Sequence, residues 1–185
     1  MLTSVIVAYI TAVYMEEVQQ MTEPIFPGRF TVPNSEGFVL FRIGMRFNGW
    51  RGGLTALRAF ASMPGMLAEQ RAHPEFGMLW TATALSWPVI QITQIWRSFE
   101  ELERYAKMPG GQHTRIWRWF NKLGRGGFDT GIWHETYRIA PGTYEAVYVN
   151  MPRYGIAAAT IHEPVTAATD SARARMEGEG TGVHG

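Results

Sequence analysis

Gly131-Ile132-Trp133-His134-Glu135-Thr136-Tyr137 is an almost unbroken run of β-branched and aromatic residues with one imidazole among them. Such composition predicts a β-strand. Alternation then sorts its side chains. His134 shares a face with Ile132, Thr136 and Arg138, whereas Trp133, Glu135, Tyr137 and Ile139 point the other way. The adjacent Glu135 is thereby removed as a partner for His134. Both faces carry large apolar groups, and a sheet apolar on both faces needs cover on both. His134 is also the ionisable group set most deeply in a β-forming run. Imidazole changes charge near neutral pH and serves as base, acid or metal ligand, so His134 is the first candidate for chemistry.

Working outward, Phe38 to Phe47 alternates Val39, Phe41, Ile43 and Met45 against Leu40, Arg42, Gly44 and Arg46, which predicts another strand. Leu54 to Ala72 has helical spacing, with Pro64 starting a second helical segment. Met78 to Leu85 and Val89 to Trp96 form a hairpin around Ser86-Trp87-Pro88. Ser98 reads as an N-cap with Glu101 completing a capping box, and the helix that follows stops at Pro109-Gly110-Gly111. Gln112 to Leu123 is a further helix, and Tyr144 to Asn150 is the last strand.

The order strand, helix, strand, strand, helix, helix, strand, strand is that of an α+β, ferredoxin-like antiparallel sheet with helices on one face. The two-faced apolar sheet predicts a homodimer. Residues 1–24 form an extra N-terminal apolar helix, 25–160 the α+β domain and 161–185 a disordered tail rich in Ala, Thr, Gly and Ser. Within the domain, Pro24 to Gly37 reads as a linker or arm.

Other classes are excluded by composition. With 17 Lys and Arg against 16 Asp and Glu there is no basic field to hold a nucleic acid. Cysteine is absent, which removes disulfides, thiolate metal sites and cysteine nucleophiles. The five histidines (His73, His113, His134, His162 and His184) have no zinc-like spacing. A single axial imidazole on haem needs only one histidine and an apolar pocket, so that option passes. There is neither a nucleophile elbow nor a Walker loop, and Gly124-Arg125-Gly126-Gly127 precedes a strand rather than a helix. Residues 1–15 are uncharged and apolar but shorter than the about 20 needed to span a bilayer. A cytoplasmic location is expected, with peripheral membrane association through 1–15 still open and Met21 an alternative start.

Four blocks resemble a family. They are Ile43 to Asn48, Trp96 to Ala106, Gly131 to Tyr137, and Tyr144 to Pro152, in that order. Together they resemble the small monooxygenase-like proteins of the DUF4188 group, which includes the monooxygenase of fungal fumagillin biosynthesis. That group is similar to the antibiotic-biosynthesis monooxygenases. The resemblance covers about residues 28–160.

It implies a dimeric α+β barrel that oxygenates an apolar small molecule of secondary metabolism, often without metal or flavin. Related barrels bind haem through one histidine, so the cofactor is none or haem b. His134 would be the base, or the axial ligand if haem is bound. Arg97, Arg46 or Asn150 would stabilise a developing oxyanion. Trp96, Trp133, Tyr137 and Tyr148 would wall the substrate, although alternation puts Trp133 and Tyr137 opposite His134. A haem-dependent dehydratase or peroxidase-like enzyme and a non-catalytic lipophile-binding module are the alternatives. Substrate and electron source are not written in the sequence.

Overall fold

The computed structural model describes residues 23–49, 65–109 and 129–177. The strands are β1 (Phe26–Thr31), β2 (Phe38–Phe47), β3 (Met78–Ser86), β4 (Val89–Trp96), β5 (Thr130–Ile139), β6 (Val147–Met151) and β7 (Glu163–Pro164). The helices are α1 (Phe99–Lys107), α2 (Ile156–Ala159) and α3 (Ala172–Glu177), together with helical residues 65–72. The predicted helices over 1–24 and 112–123, and residues 54–64 of the helix over 54–72, lie outside the described residues, but for 23 and 24.

β2 is the spine of the larger sheet, which has the order β3-β4-β2-β5 and is antiparallel throughout. Its register sets Phe41 opposite Thr136 and Gln94, and Ile43 opposite His134 and Ile92. The alternation read from the sequence is therefore the alternation observed. One face buries Val39 and Trp96 against Met66, Leu102 and Tyr105. The opposite face buries Phe38 and Ile95 against Val32, Tyr144 and Ala157.

Among the described residues, this chain itself covers part of the second face. The expectation that the second face requires a partner is corrected to that extent. The expectation of helices on one face alone is corrected too, since α2 packs with the second face through Ile156, Ala157 and Ala159.

Three further expectations change. The linker over 24–37 contains β1, the central strand of a second sheet ordered β6-β1-β7. Proline inside a central strand would remove a ladder bond. Here the register shifts between Phe26 and Arg29, so Pro27 and Gly28 fall in the irregularity.

The last strand is not part of the ferredoxin-like sheet but pairs with β1. Tyr144 explains the departure. Its ring meets Phe38 edge-on at 5.0 Å, and its hydroxyl lies 3.0 Å from both the Pro33 and Glu36 carbonyls. The chain is anchored there, and β6 begins only at Val147.

The disordered tail is corrected for residues 163–177, which form β7, a 3-10 turn and α3. Arg175 anchors that segment, with Nε donating to Glu145 at 2.8 Å and Nη1 to the Thr169 and Asp170 carbonyls at 2.9 Å each. Arg29 also pairs with Asp170, and Asn34 donates to the carbonyls of Arg175 and Met176.

At Gly44 the Trp133 side chain occupies the space a Cβ would need. A Cβ there would sit 2.6 Å from three atoms of the Trp133 indole. Trp133 in turn carries the Arg42 guanidinium 5.3 Å from its ring centroid. Gly44→Ala is expected to displace the indole and lower stability by about 1–3 kcal/mol, the usual cost of overpacking. A shift in the thermal midpoint together with altered tryptophan fluorescence checks this.

Candidate functional site

The helix-covered face of the larger sheet does not close completely. Between β2, β4 and β5 on one side and α1 with residues 65–72 on the other lies a cavity of about 260 Å³. Its apolar wall comes from alternation and helix periodicity. β2 turns Phe41 and Ile43 into it, and α1 presents Leu102 and Tyr105. α1 is fixed at its start by Ser98, whose hydroxyl accepts from the Glu101 N–H at 3.1 Å. The predicted reciprocal contact is not what the Glu101 carboxylate makes; it takes Arg97 at 2.7 Å instead.

The polar groups of the cavity are few. β5 contributes His134 and Thr136, which are two residues apart on one face. His134 is exposed at the cavity, with its ring centroid 6.0 Å from that of Phe41. Opposite, a run of hydrogen bonds is buried in the floor. Trp96 Nε1 donates to Gln94 Oε1 at 3.0 Å, and Gln94 Nε2 donates to Gln70 Oε1 at 2.9 Å. Gln70 and Gln94 are 2 % and 3 % exposed, so this amide pair is held without competition from solvent. Beside it, burial pushes the Tyr105 phenol well above its ordinary range, and the Glu69 charge adds to the shift. Tyr105 is therefore a neutral phenol at any physiological pH.

A family model, monooxygenase af470-like, matches residues 38–156, the segment that builds this cavity. The chain belongs to the monooxygenase af470-like family. No curated protein sequence matches it. Among solved structures, the aldoxime dehydratase OxdRE, crystallised with butyraldoxime, is similar at TM-score 0.60 and 18% identity, over 70% of this chain and 39% of that one. A second aldoxime dehydratase is similar at TM-score 0.60 and 19% identity, over 78% of this chain and 45% of the other. The present chain thus spans less than half the length of either. SnoaB, a cofactor-independent oxygenase from Streptomyces nogalater, matches at TM-score 0.35 and 11% identity, over 54% of this chain and 90% of that one.

In this af470-like chain, two of the eight residues singled out from the sequence meet at the cavity, His134 and Trp96. Arg97 lies at the surface in its ion pair with Glu101. Arg46 is on the opposite face and binds Asn48. Trp133 and Tyr137 are also opposite, in a cluster where Arg42 meets Glu135 at 2.9 Å and Gln91 at 3.1 Å. Tyr137 donates to Glu135 there at 2.9 Å, and that bond raises the phenol's pKa.

Asn150 and Tyr148 are in the small sheet. Asn150 adopts a left-handed φ of 52° and accepts the Gly28 N–H at 2.9 Å, a role that shapes the strand end. The Tyr148 oxygen accepts from the Ala157 N–H at 3.3 Å.

Sequence reasoning missed Gln94 and Gln70. The available signal was a glutamine on the otherwise apolar alternation Ile90, Ile92 and Trp96 of the strand Val89–Trp96. His134 is also not the histidine most removed from water. His162 stacks on Phe30 at 4.4 Å, with Phe26 edge-on at 4.8 Å, and both its ring nitrogens are buried without a hydrogen-bond partner. Desolvation, and then the Arg153 charge, lower its pKa.

Among the described residues no group of three metal-binding side chains exists. The donor set offers haem one imidazole at an apolar cavity, as axial ligation needs. At about 260 Å³ the cavity is smaller than the about 300–1,000 Å³ usual for small-molecule pockets.

Proposed function

We propose that the chain is a small-molecule monooxygenase-like enzyme whose apolar substrate occupies the cavity beside His134. The observation that carries this reading is the joint placement of an exposed imidazole and a buried amide pair on one apolar cavity, within the residues matched by the family. An apolar molecule loses water on entering, and the few polar groups orient it.

His134 is the base. It takes a proton from an activated methylene, and the electron-rich carbon reduces dioxygen directly. The resulting hydroperoxide loses water to leave a ketone, so the substrate supplies all four electrons and no external reductant is needed. Thr136 and the Gln94–Gln70 pair supply the polar end of the cavity. Arg97, Arg46 and Asn150, placed elsewhere, have no contact with this site.

The test is oxygen uptake with small apolar ketones that carry an acidic methylene. His134→Ala is expected to lower kcat by about 10²-fold or more, the usual contribution of a positioned base. Unchanged turnover in that variant would sink the assignment. A Soret band in the protein as isolated, lost in His134→Ala, would replace it with the haem reading.

The homodimer expected from sequence is proposed only for the part of the second face around Tyr137, which is 43% exposed. Among the described residues no helix is long and apolar enough to cross a membrane.

A further inference from the structure

His162 occupies a box of rings in the second sheet. Its imidazole stacks on Phe30 at 4.4 Å and 18°, and meets Phe26 edge-on at 4.8 Å and Tyr148 edge-on at 5.9 Å. Both ring nitrogens are buried, and neither has a hydrogen-bond partner. The residue stands directly before β7, whose Glu163 and Pro164 pair with Thr31 and Phe30 of β1. The ring therefore packs at the junction by which residues 163–177 join the sheet.

Few charged groups face this box. β1 contributes the rings of Phe26 and Phe30, while its Arg29 pairs with Asp170. β6 offers the Tyr148 phenol, which burial holds above its ordinary range and whose oxygen accepts from the Ala157 N–H at 3.3 Å. The segment after β6 brings Arg153, whose guanidinium carbon is 5.6 Å from the Phe26 centroid. On its own segment the neighbour is Glu163, aligned with Thr31. Among the described residues no carboxylate accepts from either ring nitrogen.

Protonation turns one donor and one acceptor into two charged donors. Neither finds an acceptor in the box, and Arg153 repels the new charge. Attraction to the face of Phe30 returns only part of this. Desolvation, and then Arg153, accordingly lower the imidazole pKa.

We propose that His162 is an acid-sensitive latch, whose protonation releases residues 163–177 from β1. The larger sheet keeps its core around Trp96 without this ring, so the opening is local. Release leaves one edge of β1 unpaired, because β7 is its neighbour there. Because the folded chain prefers the neutral ring, it binds fewer protons than the unfolded chain just below about pH 6.5, the ordinary imidazole value. The latch is therefore closed above that pH and weakens as pH falls below it.

Hydrogen exchange of the full chain between about pH 7.5 and about pH 5, expressed as protection factors so that the intrinsic pH dependence cancels, tests the latch. Protection of residues 163–177 is expected to fall about fivefold or more relative to β2 and β4, the low end for a buried polar group left unsatisfied. His162→Phe keeps a ring that cannot be charged and should hold protection constant over this range. Every carboxylate remains in both chains, so the difference isolates His162. Arg153→Gln should make the fall smaller. His134→Ala should leave it unchanged, so the latch stands or falls separately from the oxygenase assignment.

A fall of equal size in His162→Phe, no fall in the unaltered chain, or an equal loss across both sheets would overturn the proposal. Should His162→Phe fail to fold, nuclear magnetic resonance titration of the His162 ring in the unaltered chain decides. A ring that stays neutral below about pH 6.5 supports the latch, and one already charged there overturns it.

Discussion

Trp96→Ala is expected to lower stability by about 3–5 kcal/mol, read from the denaturant midpoint at constant m-value. Trp96 is 0% exposed and sits between the larger sheet and α1, with Val39, Met66, Leu102 and Tyr105 around it. Truncation removes that packing and leaves a void that neighbours fill only in part. It also strands the Gln94 oxygen that Trp96 Nε1 now satisfies at 3.0 Å. Trp96→Phe separates the two effects. Phenylalanine keeps much of the volume but no N–H, so the orphaned acceptor alone adds about 1–3 kcal/mol to a smaller packing loss. If Trp96→Phe were neutral, the hydrogen-bond run in the cavity floor would have no structural weight.

Arg175→Met should be the second most damaging change. Methionine conserves bulk but leaves Glu145 without its cation and two carbonyls without a donor. Breaking a fully buried pair costs about 3–5 kcal/mol; the 27% exposure of the Glu145 side chain reduces the expected loss to about 2–4 kcal/mol. The damage should be local first. Amide exchange in residues 163–177 is expected to quicken before that of β2 and β4, and Glu145→Gln in the same chain should recover part of the loss by removing the stranded charge. Uniform exchange across both sheets would show that the C-terminal segment is not a separate cooperative unit.

These two residues also mark what was legible from the chain. The larger sheet was readable because its strands follow strict alternation. The pairing of Ile43 with His134 keeps His134 on the face opposite Trp133 and Tyr137, as alternation had sorted them. The hairpin around Trp87 and the N-cap at Ser98 are equally local signals. Trp96 was named as a wall residue through the family resemblance rather than through its own strand.

What failed was non-local. β1 carries Pro27 and Gly28, which are turn residues anywhere except at a bulge, and no bulge can be inferred before the partner strand is known. Arg175 lies in a stretch whose composition argues for disorder. Its anchor Glu145 is 30 residues away. The Gln70–Gln94 pair likewise spans 24 residues between a helix and a strand. Alternation tells which face a side chain takes, but not which polar group from another element will meet it there.

The pairing of β1 with β6 and β7 has a consequence for how the chain reaches its fold. Thr31 is aligned with Val147 and with Glu163, so β1 waits for partners synthesised much later. Closing so long a loop costs entropy before any ladder bond returns it, which makes such pairings late and slow. Through that interval β1 offers an open edge with two phenylalanines to any other extended chain. Pro27 and Gly28 interrupt that edge, and a broken ladder is a poor template for misassembly. The irregularity that disguised β1 as a linker thus also protects the nascent chain.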